Sequence, residues 1–396
     1  MKKIGFYAGS FDPFTKGHLA IVCKALCAFD EVIIGIGLNP SKEGLFELSE
    51  REKLIRSSVE DLIQQYEYRS LNRYEFSASE VKAVSRLIDE PDCLRVLSYQ
   101  GLTVDVAIRY GATSFIRGRR NAQDDAEEGA LSRINEELSK IRRKYLDTVV
   151  FSAPPYENIS SSAVKNLCSL REYIAAQKYV MPSVHQALMK HYLFERYPQS
   201  TSPERLSLWK DLCRMHSPKE FFHNLSHIGY CLNYADIFDK ISNKDGTAFT
   251  KKERDALEAA IFYHHFINYG LKDDKLRSAE AAERDLKILG CDSAGVKNLI
   301  LMTARIGLHV EVPLIRQVIH DVDLAILGDR ENYGVYAMQI RCENSEDETE
   351  KYAVKRSKFL QRQLECPYLS EFFQDMFKED AILNMKTELA YWEDFR

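Results

Sequence analysis

The amino-acid sequence predicts an α/β domain built on a parallel sheet, followed by an all-helical domain. Three observations carry this expectation. Up to about residue 195, short apolar runs alternate with helical periodicities, the pattern of a parallel sheet with helices on both faces. The segment Tyr197-Pro-Gln-Ser-Thr-Ser-Pro203, with two prolines and three small hydroxyl residues, interrupts that pattern. Beyond it the periodicity is helical with almost no strand signal, and seven of the ten histidines lie there, which marks a chemically different module. The expected division is a domain over 1–195, a linker over 196–203 and a second domain over 204–396.

The elements follow in order. Ile4-Gly-Phe-Tyr-Ala8 reads as a buried strand, and the turn from Gly9 to Gly17 leads into a helix near His18 whose Leu19, Val22, Cys23 and Leu26 share one face. Glu31-Val-Ile-Ile-Gly-Ile-Gly37 is a second strand. Leu48 to Leu62 is a helix opened by Ser49 with Glu52 as its capping-box partner. Further strands are expected at 94–98, 113–117 and 147–152, and helices at 102–110 and 124–143. Residues 79–90 are helical in pattern.

Composition narrows the class. Hydrophobic residues make up 45% and charged residues 29% of the 396, an ordinary globular profile, and the net charge of −5 provides no basic field for nucleic acid or membrane. Nine cysteines with no Cys-x-x-Cys argue against a disulfide framework and against a zinc ribbon. No apolar stretch reaches membrane-spanning length and the start of the chain does not read as a signal peptide, so a cytoplasmic location is expected.

The string Gly9-Ser-Phe-Asp-Pro-Phe-Thr-Lys-Gly-His18 joins the first strand to the first helix. In an open parallel sheet, ligands bind beyond the carboxyl ends of the strands, and a helix N-terminus there offers N–H groups suited to phosphate. Gly9 permits close backbone approach, Ser10 adds a hydroxyl, and Phe11 completes the turn. His18, in the first helical turn, is placed to donate to a phosphate as it gains charge.

This string resembles the signature of the nucleotidyltransferase superfamily, a Rossmann-like fold. Asn39-Pro-Ser-Lys42, Gly101-Leu-Thr-Val-Asp105, Ile116-Arg-Gly-Arg-Arg120, Ile159-Ser-Ser-Ser162 and Met181-Pro-Ser-Val-His-Gln-Ala-Leu188 match, in order, the motifs of its phosphopantetheine adenylyltransferase branch. The resemblance covers about 190 residues. It implies transfer of the AMP part of ATP to 4′-phosphopantetheine, giving dephospho-coenzyme A and pyrophosphate, with Mg²⁺ as cofactor and a homo-oligomeric assembly. His18 would stabilise the transferring phosphate. Lys42 would hold the acceptor phosphate, and Thr103 would lie against the pantetheine arm. Arg117, Gly118 and Arg120 would meet the triphosphate, Glu128 would lie near the nucleotide, and Ser160, Ser161 and Ser162 would cradle phosphate. Ser10 stands where the family usually has Thr, Arg119 where it has Leu, and residues 64–92 have no counterpart in its compact form. Nicotinate mononucleotide is the alternative acceptor.

After the linker, His223-Asn-Leu-Ser-His227 places two histidines four apart, on one face of a helix. Phe262-Tyr-His264-His265-Phe266 and His320-Asp321-Val-Asp323-Leu follow. Imidazoles and carboxylates from three helices can converge on a divalent metal. As an ordered set these segments resemble the HD-domain family of metal-dependent phosphohydrolases, with His264-His265 where that family has His-Asp. A further family Glu falls where this chain has Lys275 or Leu276. The candidate ligands are His223, His227, His264, His265, Asp321 and Asp323, with the choice within the first and last pairs open, and His309 as a weaker candidate. Fewer carboxylates favour a transition metal over Mg²⁺. A degenerate domain that only binds a ligand or supports an oligomer is the alternative.

Overall fold

The computed structural model describes residues 2–38, 44–72, 75–119, 124–156, 159–216, 221–241, 248–303 and 312–395, with the side chains of 72, 124–132 and 302 outside that description. The chain divides into two compact units. One comprises residues 1–67 and 74–185, the other 68–73 and 186–396.

The first unit is built on five strands: β1 (Ile4–Gly9), β2 (Glu31–Gly37), β3 (Leu94–Tyr99), β4 (Ser114–Arg119) and β5 (Asp147–Ser152). All pairings are parallel and the order is β3-β2-β1-β4-β5. β1 and β2 are covered on both faces, so they read as continuous apolar runs rather than alternating ones. The helix Lys16–Ala28 buries Leu19, Ile21, Val22, Cys23 and Leu26.

Within 64–92, the helix Ala78–Asp89 starts with a capping box between Ser77 and Glu80 and buries Ala83, Val84 and Leu87. Its Arg86 guanidinium donates to the carbonyls of Leu26, Phe29 and Asp30, which end the helix Lys16–Ala28. The helix Ala78–Asp89 therefore satisfies carbonyls that a helix terminus leaves without intrahelical partners.

Sheet packing is tight at Gly35, where a Cβ would lie 2.4 Å from Phe6 Cζ and 3.0 Å from Tyr99 Cε1. Phe6 is fully buried and cannot swing aside into solvent. Gly35→Ala is expected to destabilise the first unit by about 1–3 kcal/mol, the usual cost of overpacking. Chemical denaturation followed by far-UV circular dichroism would read this as a lowered midpoint.

The second unit is helical throughout its described residues. Its main helices are Arg205–Met215, Leu225–Ile241, Lys251–Tyr263, Asp274–Leu289, Ser293–Thr303, Leu314–Leu324, Tyr333–Glu343, Thr349–Glu365 and Glu371–Glu393. Thr250 and Glu253 form a capping box at the start of one, and Gly290, at φ 71°, ends another in the left-handed conformation that glycine adopts without strain.

Residues 196–203, expected to link the domains, lie inside this unit. Arg196 is buried and clamps Asp236 through Nη1 and Nη2 (2.7 and 2.9 Å) and Glu258 (2.8 Å). The Tyr197 hydroxyl bonds to that of Tyr263 at 2.6 Å. The prolines and serines that suggested a linker flank an anchored pair.

A second polar core joins Thr349–Glu365 to Glu371–Glu393. Arg356 makes a two-pronged bond to Glu388 (2.8 and 3.0 Å), and Glu388 also accepts from the Tyr333 hydroxyl and Trp392 Nε1. All nine cysteines are free thiols, five of them buried. No helix among the described residues is long and apolar enough to cross a membrane.

Candidate functional sites

In the first unit, the strand order places a topological switch point between β1 and β4, whose carboxyl ends are Gly9 and Arg119. A crevice there is lined by Tyr7, Thr15, Gly17, His18, Gly118, Arg119, Tyr156 and Ile159.

His18 is held from both sides. Thr15 caps the helix Lys16–Ala28, and its backbone N–H and hydroxyl both lie 3.0 Å from His18 Nδ1. A backbone N–H can only donate, so Nδ1 accepts and the neutral ring carries its proton on Nε2. The ring stacks on Phe14 (centroids 5.5 Å apart) and meets the edge of Phe11 (5.2 Å). Thr15 was thus a functional signal within the string: Thr-x-x-His has the spacing of a capping box, with imidazole replacing Glu.

The turn before His18 is fixed by Asp12. Its carboxylate accepts from the N–H groups of Leu45 (2.8 Å) and Phe46 (3.0 Å) and from Lys165 Nζ (3.3 Å). Gly9 has a packing reason to be glycine, since a Cβ there would lie 2.8 Å from the Phe11 ring. Ser10 is exposed, and its carbonyl accepts from Arg51.

The other predicted residues divide. Arg117 and Gly118 lie at the carboxyl end of β4, beside the crevice. Ser160 caps the helix Ser161–Ser169 by accepting from Ala163 N–H, and Ser161 donates to the Pro13 carbonyl (2.8 Å), which ties this second helix N-terminus to the His18 turn. Ser162 is exposed. Thr103 bonds through its hydroxyl to Tyr99 (2.8 Å). Lys42, with the rest of Asn39–Lys42, and Arg120 lie outside the described residues, as does the side chain of Glu128.

In the second unit, His227, His264, His265 and Asp323 each bring one ligand atom within 4.8 Å of all the others. Three Nε2 atoms converge on Asp323 Oδ1: His227 at 3.2 Å, His264 and His265 at 3.4 Å. His227 and His264 face each other through Nε2 atoms 3.2 Å apart. His264 Nδ1 lies 2.7 Å from the Ile261 carbonyl, so Nδ1 holds the proton and the Nε2 lone pair points at the carboxylate. Two electron-rich atoms aimed at each other are stabilised by a cation between them. An Nδ1–H bonded to a carbonyl is also the usual outer support of a metal-binding histidine. Burial pushes His227 down to about 4 and lowers His264 and His265 as well, against the pull of Asp323, so all three rings are neutral donors at pH 7.

His223 and Asp321 stand outside this group. His223 precedes the helix Leu225–Ile241 instead of sharing a face with His227. Its Nδ1 donates to Glu343 Oε2 at 2.7 Å; burial would lower its pKa, but Glu343 outweighs burial and raises it. Asp321 accepts from the N–H groups of Leu369 and Ser370 (both 2.8 Å) and from the Ser370 hydroxyl, at the start of the helix Glu371–Glu393. Residues two apart on a helix point about 200° apart, so Asp321 and Asp323 serve opposite faces. His309 lies outside the described residues. Glu343 was missed because it is 120 residues from its partner.

Lys275 lies in the first turn of the helix Asp274–Leu289. Its stem is half-buried, while Nζ is shut off from solvent with no hydrogen-bond partner among the described residues. Its charge acts on His265, His223, His264 and Asp323.

The cytidylyltransferase-like family model matches residues 6–167. Phosphopantetheine adenylyltransferase of Streptococcus gordonii is 33% identical over 188 residues, covering 47% of this chain and 93% of that protein. Its counterpart in Porphyromonas gingivalis is 36% identical over 169 residues, covering 42% and 88%. A solved nicotinic acid mononucleotide adenylyltransferase from Plasmodium falciparum covers 50% of this chain and 96% of its own, at 16% identity and a TM-score of 0.27. With relatives above 30% identity covered over nearly their whole length, the chain belongs, through its N-terminal half, to the phosphopantetheine adenylyltransferase family of cytidylyltransferase-like domains.

Proposed function

We propose that the first unit transfers the adenylyl group of ATP to 4′-phosphopantetheine, releasing pyrophosphate and dephospho-coenzyme A. The observation that carries the reading is His18, fixed through Nδ1 by Thr15 at the switch point between β1 and β4. The acceptor phosphate attacks the α-phosphorus in line, and pyrophosphate leaves from the opposite side. His18 donates to the phosphoryl oxygens as charge builds on them, and the two helix N-termini beside it favour the same charge. Lys42 and Arg120 are assigned to the acceptor phosphate and the triphosphate on the strength of the motif match alone. Asp12 is held in the turn by Leu45, Phe46 and Lys165, and the motif match implies Mg²⁺ on the triphosphate. Offering ATP with each acceptor and following pyrophosphate tests the reading; turnover with nicotinate mononucleotide only would end it.

For the second unit, the convergence of His227, His264 and His265 on Asp323 supports a transition-metal centre of the HD-like phosphohydrolase kind. Three neutral nitrogens and one carboxylate suit Zn²⁺ or Fe²⁺. A metal held there would polarise a phosphoryl oxygen and acidify a bound water. Elemental analysis of the full chain is expected to find near-stoichiometric metal, lost in His264→Ala and kept in His223→Ala. Equal loss in both variants would place His223 among the ligands, and no metal in the wild type would leave a binding or structural role.

A further inference from the structure

We infer that Arg51 is a positioning residue for the adenylyl transfer, a clamp that fixes the turn carrying His18 and the chain leading from the acceptor motif relative to each other. The inference rests on the adenylyltransferase reading above and adds to it a residue that none of the matched motifs contains.

Helix stability does not explain an arginine at this place. Arg51 lies near the start of the helix Leu48–Glu67, where the dipole of a helix disfavours a cation. Its side chain is nonetheless buried, at 9% exposure. The guanidinium bridges two segments instead. Nη1 donates to the Ser10 carbonyl (3.2 Å), in the turn that leads from β1 to His18. Nε donates to the Phe46 carbonyl (2.7 Å). Nε also lies 3.6 Å from Asp12 Oδ1, and the Asp12 carboxylate accepts from the N–H groups of Leu45 and Phe46. A buried pair of opposite charges is screened little by solvent, and the planar fork of a guanidinium fixes the directions of its bonds.

Gly44 shows how closely the clamp is fitted. A Cβ there would lie 1.8 Å from Arg51 Nη2 and 3.0 Å from Arg51 Cζ, so the guanidinium fills the space of the missing side chain. Lys42 precedes Gly44 by two residues, a reach of at most about 7 Å along the chain. The motif match gives Lys42 the acceptor phosphate, and His18 attends the α-phosphate of ATP. One side chain thus ties the turn of the second group to the chain that follows the first. In-line attack needs the acceptor oxygen and the α-phosphorus aligned at near contact, and a misplacement of about 1 Å costs roughly a hundredfold in rate. The role of Arg51 runs through these two segments rather than through contact with either substrate.

The test uses full-length wild type, Arg51→Met, Arg51→Lys and Gly44→Ala. Pyrophosphate release from ATP and 4′-phosphopantetheine gives kcat and both KM values, and calorimetry gives the affinity for each substrate alone. Arg51→Met should lower kcat by roughly ten- to a hundredfold while each substrate alone binds within about threefold of wild type. Arg51→Lys should recover only a small part of the loss, because one ammonium does not reproduce the fork. Gly44→Ala removes no donor, but its methyl group displaces the guanidinium, so it should show the same fall in kcat at the same affinities. A general loosening of the fold would instead weaken both affinities along with the melting temperature. Wild-type kcat in Arg51→Met would overturn the clamp, and so would a raised KM at unchanged kcat, which would make Arg51 part of binding only. If Arg51→Met does not fold, Gly44→Ala decides by the same two criteria. Absence of turnover with 4′-phosphopantetheine in the wild type would overturn the adenylyltransferase reading, and the clamp with it.

Discussion

Replacing His18 by alanine is expected to slow pyrophosphate release by roughly 10²–10³-fold while the chain stays folded. The size follows from what is removed: a single preoriented donor to a transferring phosphoryl group, in a crevice flanked by two helix N-termini. Its orientation comes from Thr15, whose N–H occupies Nδ1 at 3.0 Å, and from the stack on Phe14. The geometry makes a sharper prediction about the replacement. Glutamine can place an amide N–H near the Nε2 position, whereas asparagine reaches only as far as Nδ1. His18→Gln should therefore retain more turnover than His18→Asn or His18→Ala. Steady-state assays at saturating ATP and acceptor would show the ranking. Near wild-type release by the alanine variant would remove His18 from the chemistry.

Replacing Glu388 by alanine is expected to destabilise the second unit by about 3–5 kcal/mol, the cost of leaving a buried charge without its partner. Both partners are deeply buried, Arg356 at 5% and Glu388 at 2% exposure. Burial works against the Glu388 charge, and Arg356 outweighs it, holding the carboxyl below the usual range. The carboxylate also accepts from Tyr333 and Trp392, so the alanine variant leaves two further donors short of an acceptor, a phenol and an indole. Urea denaturation would show the loss as a lower midpoint. Removing both charges in Arg356→Met/Glu388→Leu should cost much less than Glu388→Ala alone, since no lone charge remains. A single variant as stable as wild type would mean that water reaches the guanidinium.

How much was legible in the sequence depended on how local the determining interaction is. The strands β1 and β2 were visible because buried parallel strands are apolar with little interruption, and β3 to β5 as shorter apolar runs between helical periodicities; the expected 31–37 and 147–152 coincide with β2 and β5. The His18 turn was visible because a strand, a turn and a capped helix are contiguous. At 196–203 Pro and Ser suggested a linker, and local reasoning could not show that Arg196 and Tyr197 find partners up to 66 residues away. In the second unit the histidines stood out by type. The sequence could not separate His227 from His223, or Asp323 from Asp321. That choice depended on where the helix Leu225–Ile241 starts, on Glu343 claiming His223, and on Ser370 claiming Asp321.

The free thiols have a practical consequence for labelling this protein. Burial pushes Cys168 and Cys213 up to about 12 and raises Cys23 and Cys231 further. At pH 7 a thiol near 12 is ionised in roughly one molecule in 10⁵, and only the thiolate reacts with maleimides. Alkylation should therefore favour the partly exposed Cys27, Cys291 and Cys366 over the buried thiols.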